Sequence, residues 1–216
     1  GDFSLNVNAG GNIYDRHYSY LSMATVGGMS SPGFYNIDAS IDRPATSSYL
    51  LRKQINSLFG MASLGFRDTY FIDASLRNDV SSALPTDNNS YWYPSVSGSM
   101  VFSELIGWNP LSFGKIRASY AQAGSDLSPY QTTAFYNVGT VYAGSTPANT
   151  LSVPDNLNNP FVQPSFAHSY ETGIDLRFFN GRLGLDLTLY NSKNKNQILN
   201  LDVSGTSGYS TTTINA

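Results

Sequence analysis

Cysteine is absent from this 216-residue chain, so disulfide staples and thiolate metal sites are excluded together. Nowhere does the sequence approach the ~18 continuous apolar residues of a membrane-crossing helix. A β-strand crossing stays open, since it takes only ~9 to 11 residues of alternating polarity. Charge is scarce: Asp, Glu, Lys and Arg make up 12% of the chain, about half the ~25% of ordinary soluble domains. With a formal net charge of -3 and no basic or acidic run, there is no electrostatic footprint for nucleic acid. Histidine occurs only at His17 and His168, in or beside expected loops, and neither has the partners of a zinc site or a catalytic triad. There is no G-x-S-x-G nucleophile elbow. Gly27-Gly28 runs into Met-Ser-Ser-Pro-Gly, without the Gly-Lys-Ser/Thr that cradles phosphate. A non-enzymatic role with no cofactor and no metal is expected. Asp87-Asn88-Asn89, or Asp38 with Asp42, could offer oxygens to calcium, but such residues more often bond their own backbone in turns. Gly1-Asp2-Phe3 lacks the basic start and apolar segment of a signal peptide.

In place of charge the chain carries 15 Tyr, 12 Phe and 19 Gly. Its clearest pattern runs from Ser169 to Asn191. Before Asn180-Gly181, Tyr170, Thr172, Ile174, Leu176 and Phe178 share one parity and Glu171, Gly173, Asp175, Arg177 and Phe179 the other. After it, Leu183, Leu185, Leu187 and Leu189 alternate with Gly184, Asp186, Thr188 and Tyr190. Period-two alternation predicts strands, and Asn-Gly predicts a type I′ hairpin turn. Leucine is a mediocre strand former, so four on one face point to something apolar beside them, a protein core or lipid.

Similar alternation predicts strands over 3–13, 54–66, from Tyr70, over 91–103 and over 113–123. The intervals 14–49, 78–90, 124–167 and 198 onward, rich in Tyr, Ser, Asn, Gly and Pro, are expected to be long loops, while 67–69, 105–111 and 180–181 are short connections. Long and short connections thus alternate strictly, the layout of up-and-down transmembrane barrels. The ionisable residues Asp73, Arg77, Asp79, Lys115, Arg117, Glu171, Asp175, Arg177 and Asp186 all sit on the parity opposite the apolar one. Phe66, Tyr70, Tyr91, Trp92, Tyr93, Trp108, Phe113, Phe178, Phe179 and Tyr190 gather near strand ends, where interfacial girdles would lie. The expected fold class is all-β, a segment of a large antiparallel transmembrane β-barrel of about seven strands with short periplasmic turns and long extracellular loops. A soluble β-sandwich adhesin or carbohydrate-binding module, and a passive porin, are the alternatives.

The runs FRDTYFIDASLRNDVSSAL (66–84), YWYPSVSGSMVFSE (91–104), KIRASYAQAGSD (115–126) and SYETGIDLRFFNGRLGLDLTLYNSKNKNQIL (169–199), with Pro-Gly-Phe-Tyr-Asn at 32–36, resemble the barrel of the SusC/RagA-type TonB-dependent outer-membrane transporters of Bacteroidetes. The resemblance implies a bacterial outer-membrane location and import of oligosaccharides or peptides. It also implies a SusD-like lipoprotein lid and energy from TonB through a plug. No plug, TonB box or closing terminal strand has a counterpart here, so 1–216 is expected to be part of such a barrel. The nine ionisable residues above would then face the lumen. Ile174, Leu176, Phe178, Leu183, Leu185, Leu187 and Leu189 would face outer-membrane lipid. Loop residues, none singled out, would contact a glycan or peptide.

Overall fold

A computed structural model describes residues 2–143 and 146–216. Its strands are β1 (Phe3–Met29), β2 (Ser40–Phe66), β3 (Tyr70–Ser81), β4 (Ser90–Val101), β5 (Leu111–Ser125), β6 (Asn137–Ala143), β7 (Thr146–Ser152), β8 (Asn156–Leu157), β9 (Ser165–Phe178), β10 (Leu183–Lys195), β11 (Ile198–Asp202) and β12 (Thr211–Asn215). Seven of them form one antiparallel sheet in the order β1-β2-β3-β4-β5-β9-β10, as the alternation predicts. The chain divides into two compact units, residues 1–13 with 55–216, and Tyr14–Gln54.

Within Tyr14–Gln54 the expectation of a long loop is wrong. Residues 14–29 and 40–54 continue β1 and β2 as strand, and only 30–39 form the turn, closed by Ser30 N donating to Ala39 O at 2.7 Å. Ser40 Oγ receives Val26 N at 2.9 Å and locks the strands just below it. Nearly every residue of this stretch is exposed. A ribbon wet on both faces leaves no period-two hydrophobic signal, which is why its Tyr-, Ser- and Thr-rich sequence reads as loop.

The short connections are tight. Asn180 and Gly181 have φ of 54° and 81°, and Arg182 N donates to Phe179 O at 3.4 Å, the type I′ geometry expected of Asn-Gly. Arg67 and Asp68 adopt φ of 51° and 49° without glycine's freedom. Arg67 there donates its backbone N–H to Asp2 O at 2.7 Å and pairs its side chain with the Asp2 carboxylate at 3.3 Å. The third connection is a single helical turn, α1 (Ser103–Ile106), ended by Gly107 in the left-handed region. Phe179 N then donates to Pro110 O at 2.9 Å and ties this connection to the hairpin turn beside it.

The long connections carry structure of their own, unlike the open loops expected over 124–167 and after 198. β6 and β7 form a hairpin, and β8 pairs in parallel with β12, which pairs with β11. These segments close over the start of β4: Ala83, Leu84, Tyr91, Leu127 and Val162 make the buried core, with Tyr93, Phe166 and Ile198 packed against it. Val162 is fully buried. Ser81 Oγ, also fully buried, bonds the Asp126 carboxylate and staples the end of β3 to the start of the connection that follows β5.

Truncating Leu127 or Val162 to Ala should loosen this core without unpicking the sheet. A loss of about 2 kcal/mol per site raises the locally opened population about 30-fold. In the full-length protein, limited proteolysis within 126–164 should accelerate by that order while the heat-resistant folded band on unboiled gels persists.

Candidate functional site

In a paired sheet, directly opposed residues share a face. One continuous row across the sheet is Ser63, Asp73, Ser97, Ser119, Glu171 and Tyr190. A row three residues along, on the other face, is Phe66, Tyr70, Met100, Ile116, Ile174 and Leu187. Applied to every pair, the register puts Asp73, Arg77, Asp79, Lys115, Arg117, Glu171, Asp175, Arg177 and Asp186 on a single face. Ile174, Leu176, Phe178, Leu183, Leu185, Leu187 and Leu189 lie on the other. That apolar face is open: Ile72 is 54% exposed, Leu187 56% and Leu189 74%. Among the described residues no second sheet covers it, so the β-sandwich alternative fails for want of a second layer.

The charged face is concave. A cleft of about 350 Å³ is lined jointly by Ser4 and Asn6 of β1, Ser63 of β2, Asp73 of β3 and Lys115 of β5. In a flat sheet the first and fifth strands would lie ~19 Å apart, four spacings of ~4.8 Å, too far to share one cleft of that size.

Within the face the charges engage one another unevenly. Arg77 Nε donates to Asp79 Oδ1 at 2.7 Å and its Nη2 to Ser57 Oγ at 2.9 Å, with Asp79 buried. Asp175 and Arg177 sit 3.6 Å apart, and the Arg177 guanidinium lies over the Phe113 ring, 5.3 Å from its centroid. Asp73 accepts from Ser97 Oγ at 3.2 Å. Lys115 faces Asp175 across the β5–β9 pairing. Ion pairs with one partner open to solvent, such as Asp175–Arg177, stabilise a fold little on their own.

Arg117 makes the longest reach. From β5 its side chain crosses β9 and bonds Asp186 on β10, Nη2 to Oδ1 at 3.0 Å and Nη1 to Oδ2 at 3.3 Å, with Nη2 also 2.6 Å from Thr188 Oγ1. The strand it crosses presents Gly173, the residue directly opposite Arg117. A Cβ there would lie 2.8 Å from Arg117 Nε. Glycine is therefore what lets a guanidinium lie flat on the sheet and clamp three strands together. Charge parity alone does not reveal that role; a glycine inside an alternating strand is its one sequence signal.

Four of the ten aromatics expected at interfacial girdles belong elsewhere. Tyr91 and Tyr93 pack edge-to-face, centroids 5.0 Å apart, in the core beneath the long connections. Phe113 and Tyr190 lie on the charged face. Parity of a strand end is hard to read where alternation stops, as at Tyr91 and Tyr93 near the start of β4, whereas Phe113 and Tyr190 already share the parity of the charged residues in the sequence. On the apolar face, rings do gather at the short-turn end, with Phe3 4.6 Å from Phe66 and Trp108 6.2 Å from Phe178. A second group, Tyr120 and Tyr170 at 5.0 Å, lies toward the long connections. Asp38 and Asp87 sit in one-turn 3-10 segments, and among the described residues no cluster suited to a metal is present.

Both histidines lie in strands, His17 in β1 and His168 in β9, not in loops. β9 and β10 also run further than the alternating stretch that marks them in sequence. Their extra turns bring three basic residues onto the apolar parity: His168, Lys193 directly opposite it, and Lys195.

Gly173→Val should push the guanidinium off the sheet. Overpacking of this kind costs about 1 to 3 kcal/mol, readable as a lower unfolding temperature of the full-length barrel. In an Arg117→Ala background the same substitution should have a much smaller effect.

Comparison with known proteins follows the same lines. The family described as "TonB dependent receptor-like, beta-barrel" matches residues 1–216. TonB-dependent receptor P26 of Formosa agariphila is 29% identical over 167 residues, 72% of this chain and 16% of that protein. TonB-dependent receptor P3 of the same organism is 25% identical over 164 residues, 74% of this chain and 16% of that one. The chain thus spans about a sixth of the length of these curated relatives. A solved structure, "Structure of the RagAB peptide transporter", superposes with a TM-score of 0.82 at 21% identity, over 99% of this chain and 24% of that one. At that identity the likeness is one of fold. With the whole chain matched by the family model and its seven-stranded antiparallel sheet built as that fold requires, this chain belongs to the TonB-dependent receptor-like β-barrels.

Proposed function

We propose that this chain is part of the barrel wall of an outer-membrane importer, with its charged concave face toward the lumen and its apolar face toward lipid. The observation that carries this is the two-face sorting between the aromatic groups: nine ionisable residues on the concave face and an exposed apolar row on the other. In hydrocarbon every backbone donor and acceptor must be paired within protein. The outer edges of β1 and β10 therefore call for further strands, and a ~22-stranded plugged barrel would supply them. The dimensions fit. Phe178 and Tyr170, from the two aromatic groups, are eight residues apart, ~27 Å along the strand. With a ~40° tilt this spans about 20 Å, close to the ~25 Å apolar band of such barrels.

The cargo we propose is an oligosaccharide or peptide, taken in beneath a SusD-like lipoprotein lid and driven by TonB through a plug. Support comes from the RagAB neighbour, named as a peptide transporter, and from a cleft of about 410 Å³ among the long connections. It is lined by Asp126, Gln131, Gln197, Asn200 and Thr213. Its amides and hydroxyls offer both donors and acceptors to an uncharged, hydrogen-bonding ligand. Family membership argues against the passive-porin alternative.

Two outcomes are expected. A fluorophore at Leu183→Cys, Leu185→Cys, Leu187→Cys or Leu189→Cys of the full-length protein should be quenched by brominated lipid, and one at Asp186→Cys or Thr188→Cys should not; the reverse pattern would sink the assignment of faces. Gln197→Ala with Asn200→Ala should lower TonB-dependent uptake of a cognate oligosaccharide or peptide about 10-fold, two lost hydrogen bonds of ~0.5 to 1.5 kcal/mol each, with barrel yield unchanged. Unchanged uptake would remove the cleft from the transport path.

A further inference from the structure

The sorting of charge over the wall strands breaks at one place. Among the described residues of the seven wall strands in unit 1, the basic side chains on the apolar parity are His168, Lys193 and Lys195, and no carboxylate shares that parity with them. Lys193 stands directly opposite His168, which in turn stands opposite Gln122. The His168 ring is held in place: Tyr120 Oη lies 2.9 Å from Nδ1, and the two rings stack with centroids 6.2 Å apart. Tyr120 is itself packed 5.0 Å from Tyr170. With Nδ1 engaged, Nε2 is the ring nitrogen left for a ligand. Lys193 is exposed.

Depth along the wall matters here. Tyr170, of the outer aromatic group, pairs with Asn191, and Lys193 lies two residues beyond that level, ~7 Å along the strand and about 5 Å along a normal tilted by ~40°. A headgroup layer occupies the ~5 to 8 Å next to the hydrocarbon. An ammonium at that level, which a lysine stem can also adjust by reaching along the surface, sits among headgroups instead of bulk water. Phosphate oxygens are the natural partners of an ammonium and an imidazole N–H offered together without a competing carboxylate.

We propose that Lys193, Lys195 and His168, set on the Tyr120–Tyr170 platform, form a binding site for the phosphate of an anionic lipid in the leaflet on the side of the long connections. The inference rests on the assignment of the apolar face to lipid. That assignment also selects the lipid over free phosphate, because the leucine row directly below the cations is placed to hold the acyl chains of the same molecule.

The test uses the full-length protein in phosphatidylcholine nanodiscs containing either bisphosphorylated lipid A or its dephosphorylated form. Native mass spectrometry reads the lipid retained. Wild type should retain the phosphorylated form on the order of 10-fold better, as two lysines near an anionic surface allow. K193A/K195A should abolish the preference and K193R/K195R keep it. An undiminished preference in K193A/K195A would overturn the site, and displacement of the lipid by millimolar inorganic phosphate would overturn the lipid as its ligand. A fluorophore at Leu187→Cys in the same discs separates the two levels. Quenching by brominated lipid together with a preference blind to the lysines refutes the site alone, whereas no quenching removes the lipid-facing wall itself.

Discussion

A slip of one residue between any two of the wall strands would turn every side chain of the slipped strand to the opposite face. For β10 that would drive Asp186 into the apolar row and four leucines onto the concave face. Everything that makes the sheet a wall depends on register being held at each pairing. The short connections do this locally, with positive φ at Arg67, Asp68, Asn180 and Gly181 setting the two hairpins. Contacts from one turn to its neighbour, such as Phe179 N to Pro110 O, and from a turn to the start of β1, Arg67 to Asp2, extend the restraint sideways. The Arg117 bridge over Gly173 acts further from the turns, joining β5, β9 and β10 in one alignment.

Register held in this way keeps one face of a single layer of strands charged and the other apolar. A soluble sheet hides its apolar face against a second layer, whereas this one leaves Leu187 and Leu189 more than half exposed and, among the described residues, collects its buried core under the long connections. Stability is thus distributed in two forms: backbone pairing in the wall, and side-chain packing at its mouth, where Leu84, Leu127 and Val162 hold the long segments against Tyr91.

The wall was legible in the sequence because period-two alternation survives wherever the two faces meet different surroundings. All seven strands and the Asn180-Gly181 turn follow from that signal. It fades where both faces are wet, which is why 14–29 and 40–54 read as loop, and where a segment packs through a few isolated residues, as with β6 to β8 and β11 to β12. It also fades at strand ends, so Tyr91 and Tyr93 read as girdle residues although they pack in the core, and the alternating stretch stops short of Lys193 and Lys195, which β10 carries. Gly173 illustrates a different limit. Its importance comes from a side chain on another strand, and no local pattern encodes that.

β5 and β9 are hydrogen-bonded neighbours whose pairing ends at Ser125 and Ser165, so the whole of 126–164 leaves the wall and returns to it at adjacent positions. Its two ends are a single strand spacing apart whatever lies between them. Doubling the length of such an excursion adds only about 0.6 kcal/mol of closure entropy. The segment that supplies Leu127, Val162 and one side of the polar cleft can accordingly be lengthened, shortened or replaced over evolutionary time while the strands beneath keep their partners. Change in the long connection and constancy of the paired strands are separable because they meet at one rung of the sheet.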